Sequence, residues 1–340
     1  MLGSAFAYKC LLSPLVKMHL FRTFACPIFR SGLSSFALRT QQLSPLAVLH
    51  RKVLKSFLQL SKTAPTPAIH FLLGELPMEG KIHRDMFSLF YGVWSNPDTK
   101  IYQIIKYILA TSYENSNTWA MNMRHIAKMY NLEDPLVCLQ KDPPRKSSFK
   151  EMVITKITAF HESELRQKAK SNTLMQYLNV SLSGLRGRNH PCISNIITTS
   201  EVKKLRPYLK LLTGDYLTYE RRYNESNQGS PICKICHLEN ESISHIVATC
   251  SAYEVIRTKI IQELGQLCLL SKSPIIFEDL KKDPNKLTQF ILDPTSFNLE
   301  TRINISDPTI TEIFRLSRNL CQSIHTERIQ ILKQLSEKQS

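Results

Sequence analysis

No aspartate or glutamate precedes Glu75 in this 340-residue chain. Across the whole sequence 44 lysines and arginines stand against 28 acids, a net charge of +16, and nine of the basic residues, from Lys9 to Lys62, fall in the acid-free opening. An excess of this size favours a polyanionic partner, nucleic acid before anionic membrane. Any apolar run near the ~18 residues that a membrane-spanning helix needs is also missing. "IYQIIKYILA" is broken by Lys106, so no membrane partner is expected. Nine cysteines at irregular spacings exclude the disulfide framework of a small secreted domain and point to a reducing compartment. Neither a G-x-x-x-x-G-K-[ST] phosphate loop nor a G-x-S-x-G nucleophile elbow occurs, nor the clustered acids of a nuclease.

Internal repeats are absent and strand signals are few, so the expected class is mostly α, with enough apolar content (43%) for more than one core. The opening "MLGSAFAYKCLLSPLVKMHLFRTFACPIFRSGLSSFALR" has the acid-free, Ser/Leu/Arg-rich composition of a mitochondrial transit peptide. Against that reading, the same composition continues into "SPLAVLHRKVLKSFLQL", which looks like folded protein. There Ser44 is the expected N-cap and Pro45 the first helical residue. Leu46, Leu49, Val53, Phe57 and Leu60 share one face. Arg51, Lys52, Lys55 and Lys62 lie opposite, as a solvated outer face or as a phosphate-tracking surface.

Thr66-Pro67 opens a short helix that Gly74 can close in the left-handed conformation. Helices are expected over residues 79–93, 99–112 and 116–130, with Tyr91, Trp94 and Trp119 filling the core rather than stacking on bases. After the break "KDPPRKSS", Ser148 and Glu151 form a capping box for a helix to about Lys170, burying Val153, Ile157, Phe160 and Leu165. "SLSGLRGRNHP" is a turn that carries Arg186 and Arg188. "SEVKKLRPYLKLLTG" is a helix interrupted at Pro207 and ended at Gly214. Its Lys203, Lys204, Arg206 and Lys210, followed by Arg221 and Arg222, concentrate positive charge. An amphipathic helix with Tyr253, Ile256, Ile260 and Leu264 follows Cys250, and a last one from Asp307-Pro308 buries Ile313, Leu320, Ile324 and Leu332.

The sharpest motif is "SPICKICHLENESISHIVATC", in which Cys233, Cys236, His245 and Cys250 stand at C-x2-C-x8-H-x4-C spacing. Two thiolates on one turn, with an imidazole and a third thiolate returned by a short excursion, can close a tetrahedron around Zn2+. Four protein ligands leave no open position for catalytic water, so the zinc is expected to be structural. Two alternatives stand: the cysteines are small buried hydrophobes, or His237 replaces His245.

The run "LRPYLKLLTGDYLTYERRY", leading into this cluster and "SAYEVIR", resembles the C-terminal zinc-binding segment of non-LTR retrotransposon reverse transcriptases. Upstream, "SPLVKMHLFRTFACPIFRSGLSSFALR" and "LAVLHRKVLKSFLQLSKTAPTPAIHFLLGELPMEGKIH" resemble the thumb and connecting helices that follow the polymerase palm. The likeness spans about residues 1–260. It implies a basic thumb-like region (1–62), a helical connecting region (63–190), a zinc-binding module (191–256) and an unmatched helical tail (257–340). It makes Cys233, Cys236, His245 and Cys250 the zinc ligands. It also implies RNA or DNA as partner through backbone contacts, other retroelement proteins as further partners, and a nuclear location, with mitochondrion or cytoplasm as alternatives. The family's paired catalytic aspartates are lacking: nine aspartates are present and no two are adjacent. A non-catalytic fragment is therefore expected, its rivals a protein-interaction scaffold and a truncated mobile-element relic.

Overall fold

Helix-start chemistry recurs along the chain, and the computed structural model, which describes residues 12–38, 40–111, 113, 117–194, 196, 198–270, 277–300 and 307–338, is mostly helical. Among the described residues there is no strand, only isolated bridges. Ser13 accepts from the Val16 N–H to start α1 (Pro14–Leu20). Pro27 has no N–H to return to Thr23, and the turn before it widens into a π turn (Phe21–Ala25) leading into α2 (Cys26–Arg30). Met18, Phe21 and Cys26 are buried, so this part of the transit-peptide-like stretch belongs to the core. Residues 1–11 of that stretch lie outside the described residues.

Helix α3 (Thr40–Phe57) starts earlier than expected, so Ser44 is not its N-cap and Pro45 lies inside it. Pro45 and Gln41, whose carbonyl loses a helical partner, both face solvent, where water replaces the bond, while Leu43 anchors the early turn in the core. The buried stripe is Leu43, His50, Leu54 and Phe57. Leu49 is exposed and Leu46 and Val53 are half-buried, because the helix is turned toward His50, whose ring stacks on Phe21 at 5.7 Å.

Helix α4 (Thr66–Leu73) is buried from Pro67 onward and ends at Gly74 with φ +58°, as its sequence signals. Then come α5 (Met78–Trp94), α6 (Lys100–Thr111), α7 (Trp119–Met129) and the single turn α8 (Pro135–Cys138) capped by Asp134. Tyr91 and Trp94 are buried, and half-buried Trp119 donates to the Ser34 carbonyl at 2.7 Å. Helix α9 (Lys146–Lys170) begins before Ser148, and Ser148 and Glu151 make no capping box. Glu151 turns instead to Arg186, 2.6 Å away. Val153, Ile157 and Leu165 are buried, and Phe160 is half-buried.

After α10 (Pro191–Ser194), a true capping box joins Thr198 and Glu201 at the start of α11 (Thr199–Leu212). Contrary to the expected interruption, α11 runs through Pro207. The lost bond falls on the carbonyl of exposed Lys203, and burial of Leu205, Tyr208, Leu209, Leu211 and Leu212 outweighs the ~3 kcal/mol penalty. Next are α12 (Tyr219–Ser226), α13 (Glu254–Leu270), α14 (Phe277–Lys282), α15 (Pro284–Leu292), α16 (Thr295–Glu300) and α17 (Asp307–Glu337). Asp283 caps α15 through the Asn285 and Lys286 N–H groups. Ile313, Leu320 and Ile324 of α17 are buried; Leu332 is half-buried, beyond the core.

Two apolar cores result. One takes residues from Met18 to Ile82 and from Ala169 to Ile324, so α1, α3 and α4 share a single core with α11, α13 and α17. The other gathers α5 to α9 around Phe87, Phe90, Trp94 and Phe149. The Cys/His segment lies between α12 and α13 and packs on α13, α15 and α17. Among the described residues no helix is long and apolar enough to cross a membrane.

Candidate metal centre

The segment folds as a tight knuckle. Ile232 and Asn240 bridge antiparallel, the Cys233 N–H donates to the Glu239 carbonyl (2.8 Å), and the His237 N–H donates to the Cys233 carbonyl (2.9 Å). His237 takes up the left-handed turn position at φ +58° and its side chain is exposed. The chain then returns through a π turn, His245–Thr249, closed by the Cys250 N–H donating to the His245 carbonyl at 2.8 Å. Residues five apart diverge on an α-helix but share a side of a π turn. That is why the H-x4-C spacing can present both side chains together. Ile246 and Val247 between them are fully buried and seat the turn on the core.

The donor atoms of Cys233, Cys236, His245 and Cys250 all lie within 4.8 Å of one another, a group able to hold a metal ion. Cys236 Sγ is 3.3 Å from His245 Nε2. On the far side of the ring, His245 Nδ1 is 3.0 Å from Glu239 Oε2 and 3.1 Å from Thr249 Oγ1, and Thr249 in turn donates to Glu239. A carboxylate at Nδ1 holds a proton there, so that a metal ion displacing the Nε2 proton would meet a lone pair facing the thiols. Electrostatics agree with a cation site. The Cys250 thiol donates to Cys233 and lowers its pKa to about 3, while Cys250 itself is pushed up by that hydrogen bond and by burial. Burial opposes charge on His245, but the bonds to Cys233 and Glu239 prevail and raise it to about 9. Protons and one imidazolium thus gather where a metal ion would supply the positive charge.

The knuckle is rooted through Glu241. Its buried carboxylate accepts from Arg328 Nε at 3.0 Å, Arg328 Nη2 at 2.8 Å and the Tyr219 N–H at 2.8 Å, tying α12 and α17 to the metal segment. The Arg328 guanidinium lies over the Tyr216 and Tyr219 rings, and Arg257 of α13 donates to the Cys250 carbonyl. Glu239, Thr249, Glu241 and Arg328 were all missed in the sequence reading. The short spacing of Glu239 and Thr249 from His245 could have exposed the first two; nothing local marks Arg328.

The basic candidates fall in several places. Lys55 of α3, beside Arg51, and Lys210 of α11, beside Arg206, both feel the charge of Asp215, which also accepts from the Ser61 N–H at 2.7 Å. Burial lowers the pKa of both lysines, Asp215 raises both, and Arg51 and Arg206 lower their respective neighbours. Lys52, Lys203 and Arg222 are exposed, Arg222 lying over the Tyr219 ring, and Lys204 is half-buried. Arg221 is occupied within the fold, by Glu225 at 2.7 Å and the Gly214 carbonyl at 2.6 Å. Arg186 and exposed Arg188 sit apart, on the turn beside Gly74 and Glu75. No protein-family model, no curated protein and no solved structure matches this chain.

Proposed function

We propose that the chain is a non-catalytic nucleic-acid-binding region stabilised by a structural zinc ion and derived from the C-terminal part of a non-LTR retrotransposon reverse transcriptase. Three thiolates and one imidazole whose other nitrogen is held by a carboxylate form the donor set that suits tetrahedral Zn2+. Bound there, zinc acts as a fixed cross-link between the knuckle and the π turn. The protein's own part is to orient His245 through Glu239 and Thr249, and to fix the knuckle on α12 and α17 through Glu241.

One observation carries the binding reading. Arg51 with Lys55, and Arg206 with Lys210, are i, i+4 pairs on two helices far apart in sequence, and the two lysines both feel the field of the same carboxylate, Asp215. Paired cationic rows suit a phosphate backbone, giving affinity for RNA or DNA with little sequence information. The reading implies a nuclear location and other retroelement proteins as partners.

The test is anisotropy of a labelled 20-base-pair duplex, with metal content measured by mass spectrometry. Four phosphate contacts predict a log–log salt slope of about −3.6, or about a 100-fold loss of affinity between roughly 50 and 200 mM salt. Arg51→Glu with Lys55→Glu, or Arg206→Glu with Lys210→Glu, should each abolish most of the binding. About one zinc per chain, lost in Cys236→Ser and His245→Ala, is expected. An affinity flat with salt would sink the reading.

A second reading, a protein-interaction scaffold, is favoured by α6, which turns Ile101, Ile104 and Tyr107 to solvent. Under it, charge reversal at α3 and α11 leaves partner capture intact while Ile104→Asp removes it.

A further inference from the structure

A second concave feature lies away from the knuckle. The π turn and α2, the α4–α5 corner, α9 and the turn at residues 184–188 enclose a cleft of about 610 Å³. Arg22, Arg30, Lys81, Arg84 and Arg186 line it against one carboxylate, Glu75. That carboxylate is already engaged by Lys81 and, at 2.8 Å, by Arg22. Asp85 serves both Arg30 (2.7 Å) and Arg84 (3.7 Å), and Glu151 serves Arg186. Five cations therefore face three acids, and an excess of two positive charges is left. Burial, with Arg22 and Arg30 adding to it and Cys26 opposing, holds Lys81 down at about 8.

Thr158 supplies the other observation. It lies on the cleft wall, is 4% exposed, and its hydroxyl has no hydrogen-bond partner. A helical threonine commonly donates to the carbonyl one turn back. This one does not, and a buried hydroxyl without a partner is costly unless something else meets it. The opposite wall is firmly placed: the Gly187 N–H donates to the Gly74 carbonyl at 2.9 Å, and Glu75 bridges Arg186. Gly74 permits this approach, since a Cβ there would meet the Arg188 backbone at 2.8 Å.

We infer that this cleft is a binding site for a phosphate group, with the arginines at its mouth supplying charge and the Thr158 hydroxyl a hydrogen bond to a phosphate oxygen. The site shares no residue with the α3–α11 patch and does not depend on the function proposed above. The phosphate belongs either to a small free compound or to the end of a nucleic-acid strand.

Calorimetric titration of the full chain with inorganic phosphate tests it, beside a 12-nucleotide strand with and without a 5′-phosphate. Saturable phosphate binding is expected, weakened about tenfold or more by Thr158→Val and by Arg84→Gln, the worth of one hydrogen bond to a charged group. Lys333→Gln, at an exposed position of α17, should leave it unchanged. A thermal midpoint in Thr158→Val no lower than that of the wild type shows that the fold stands. Displacement of phosphate by the 5′-phosphorylated strand alone assigns the site to strand ends, and no displacement by either strand assigns it to a small compound. Absence of saturable binding up to roughly 10 mM phosphate, or binding unchanged by Thr158→Val, overturns the inference.

Discussion

Replacing Glu241 with glutamine tests whether the metal knuckle is anchored by the last helix. The carboxylate is fully buried and accepts three hydrogen bonds, two from Arg328 and one from the Tyr219 N–H. Glutamine keeps the shape but removes the charge and turns an amide N–H2 toward one of the donors. Removing one member of a buried pair costs about 3–5 kcal/mol, because the other charge is left uncompensated. The Tyr216 and Tyr219 rings, on which the guanidinium lies, offset about 1 kcal/mol of that, so the lower end applies. For 340 residues the unfolding entropy near the midpoint is about 0.7 kcal/mol/K. A loss of about 3 kcal/mol then lowers the midpoint by about 4 °C if the metal-loaded chain unfolds as one unit. Differential scanning calorimetry reads this directly, and Glu241→Leu with Arg328→Leu should recover most of it. A drop below about 1.5 °C for Glu241→Gln, equal to about 1 kcal/mol, would refute the anchoring role.

Acid should weaken the fold well before the carboxylates titrate. Burial first, then Lys81 and Arg51, holds His50 at about 3. Burial with His161 holds His83 at about 4, and burial with Lys168 holds His161 at about 4. These folded values lie below the ordinary 6.5, so the unfolded chain takes up protons first and stability falls as pH drops from 6.5 toward 4. Each histidine removes about 2 kcal/mol by pH 5, and urea midpoints that stay level from pH 6.5 to 5 would contradict the assignment. Glu239→Gln should loosen metal about 10- to 100-fold in a chelator competition; an unchanged affinity would mean that Thr249 suffices to orient His245. Gly214→Ala should destabilise by more than about 1 kcal/mol, since φ is +69° and a Cβ would collide with the Leu174 carbonyl; a wild-type urea midpoint would contradict this.

What could be read from the sequence is what the chain decides within a few residues. Thr66, Pro67 and Gly74 carry their own start and stop, and the four Cys/His residues sit in one short segment whose spacing limits where they can meet. Pro45, Pro207 and Ser148 misled because their effect depends on distant packing. Leu43 pulls α3 back past a proline, buried residues on both sides carry α11 across another, and Glu151 prefers Arg186 to its own helix start. The basic residues were visible one by one, but their grouping was not. That Lys55 and Lys210 both feel Asp215, while Arg221 is absorbed by Glu225 and Gly214, depends on how distant stretches of chain fold together. The cleft around Glu75 is less legible still, since its walls come from four separate stretches of chain.

The pairing of Glu241 with Arg328 also orders events in time. Arg328 follows Glu241 by 87 residues, so on a ribosome adding roughly 5–20 residues per second the acid waits about 4–17 s for its partner. During that interval the knuckle lacks its anchor, with the surface that α17 will cover still open, and a metal ion held by the four Cys/His residues would be what closes it. Under the proposed zinc reading, zinc supply and the pace of translation would act on the same step, and a shortage of the metal would expose this chain to chaperones and proteases at one defined length.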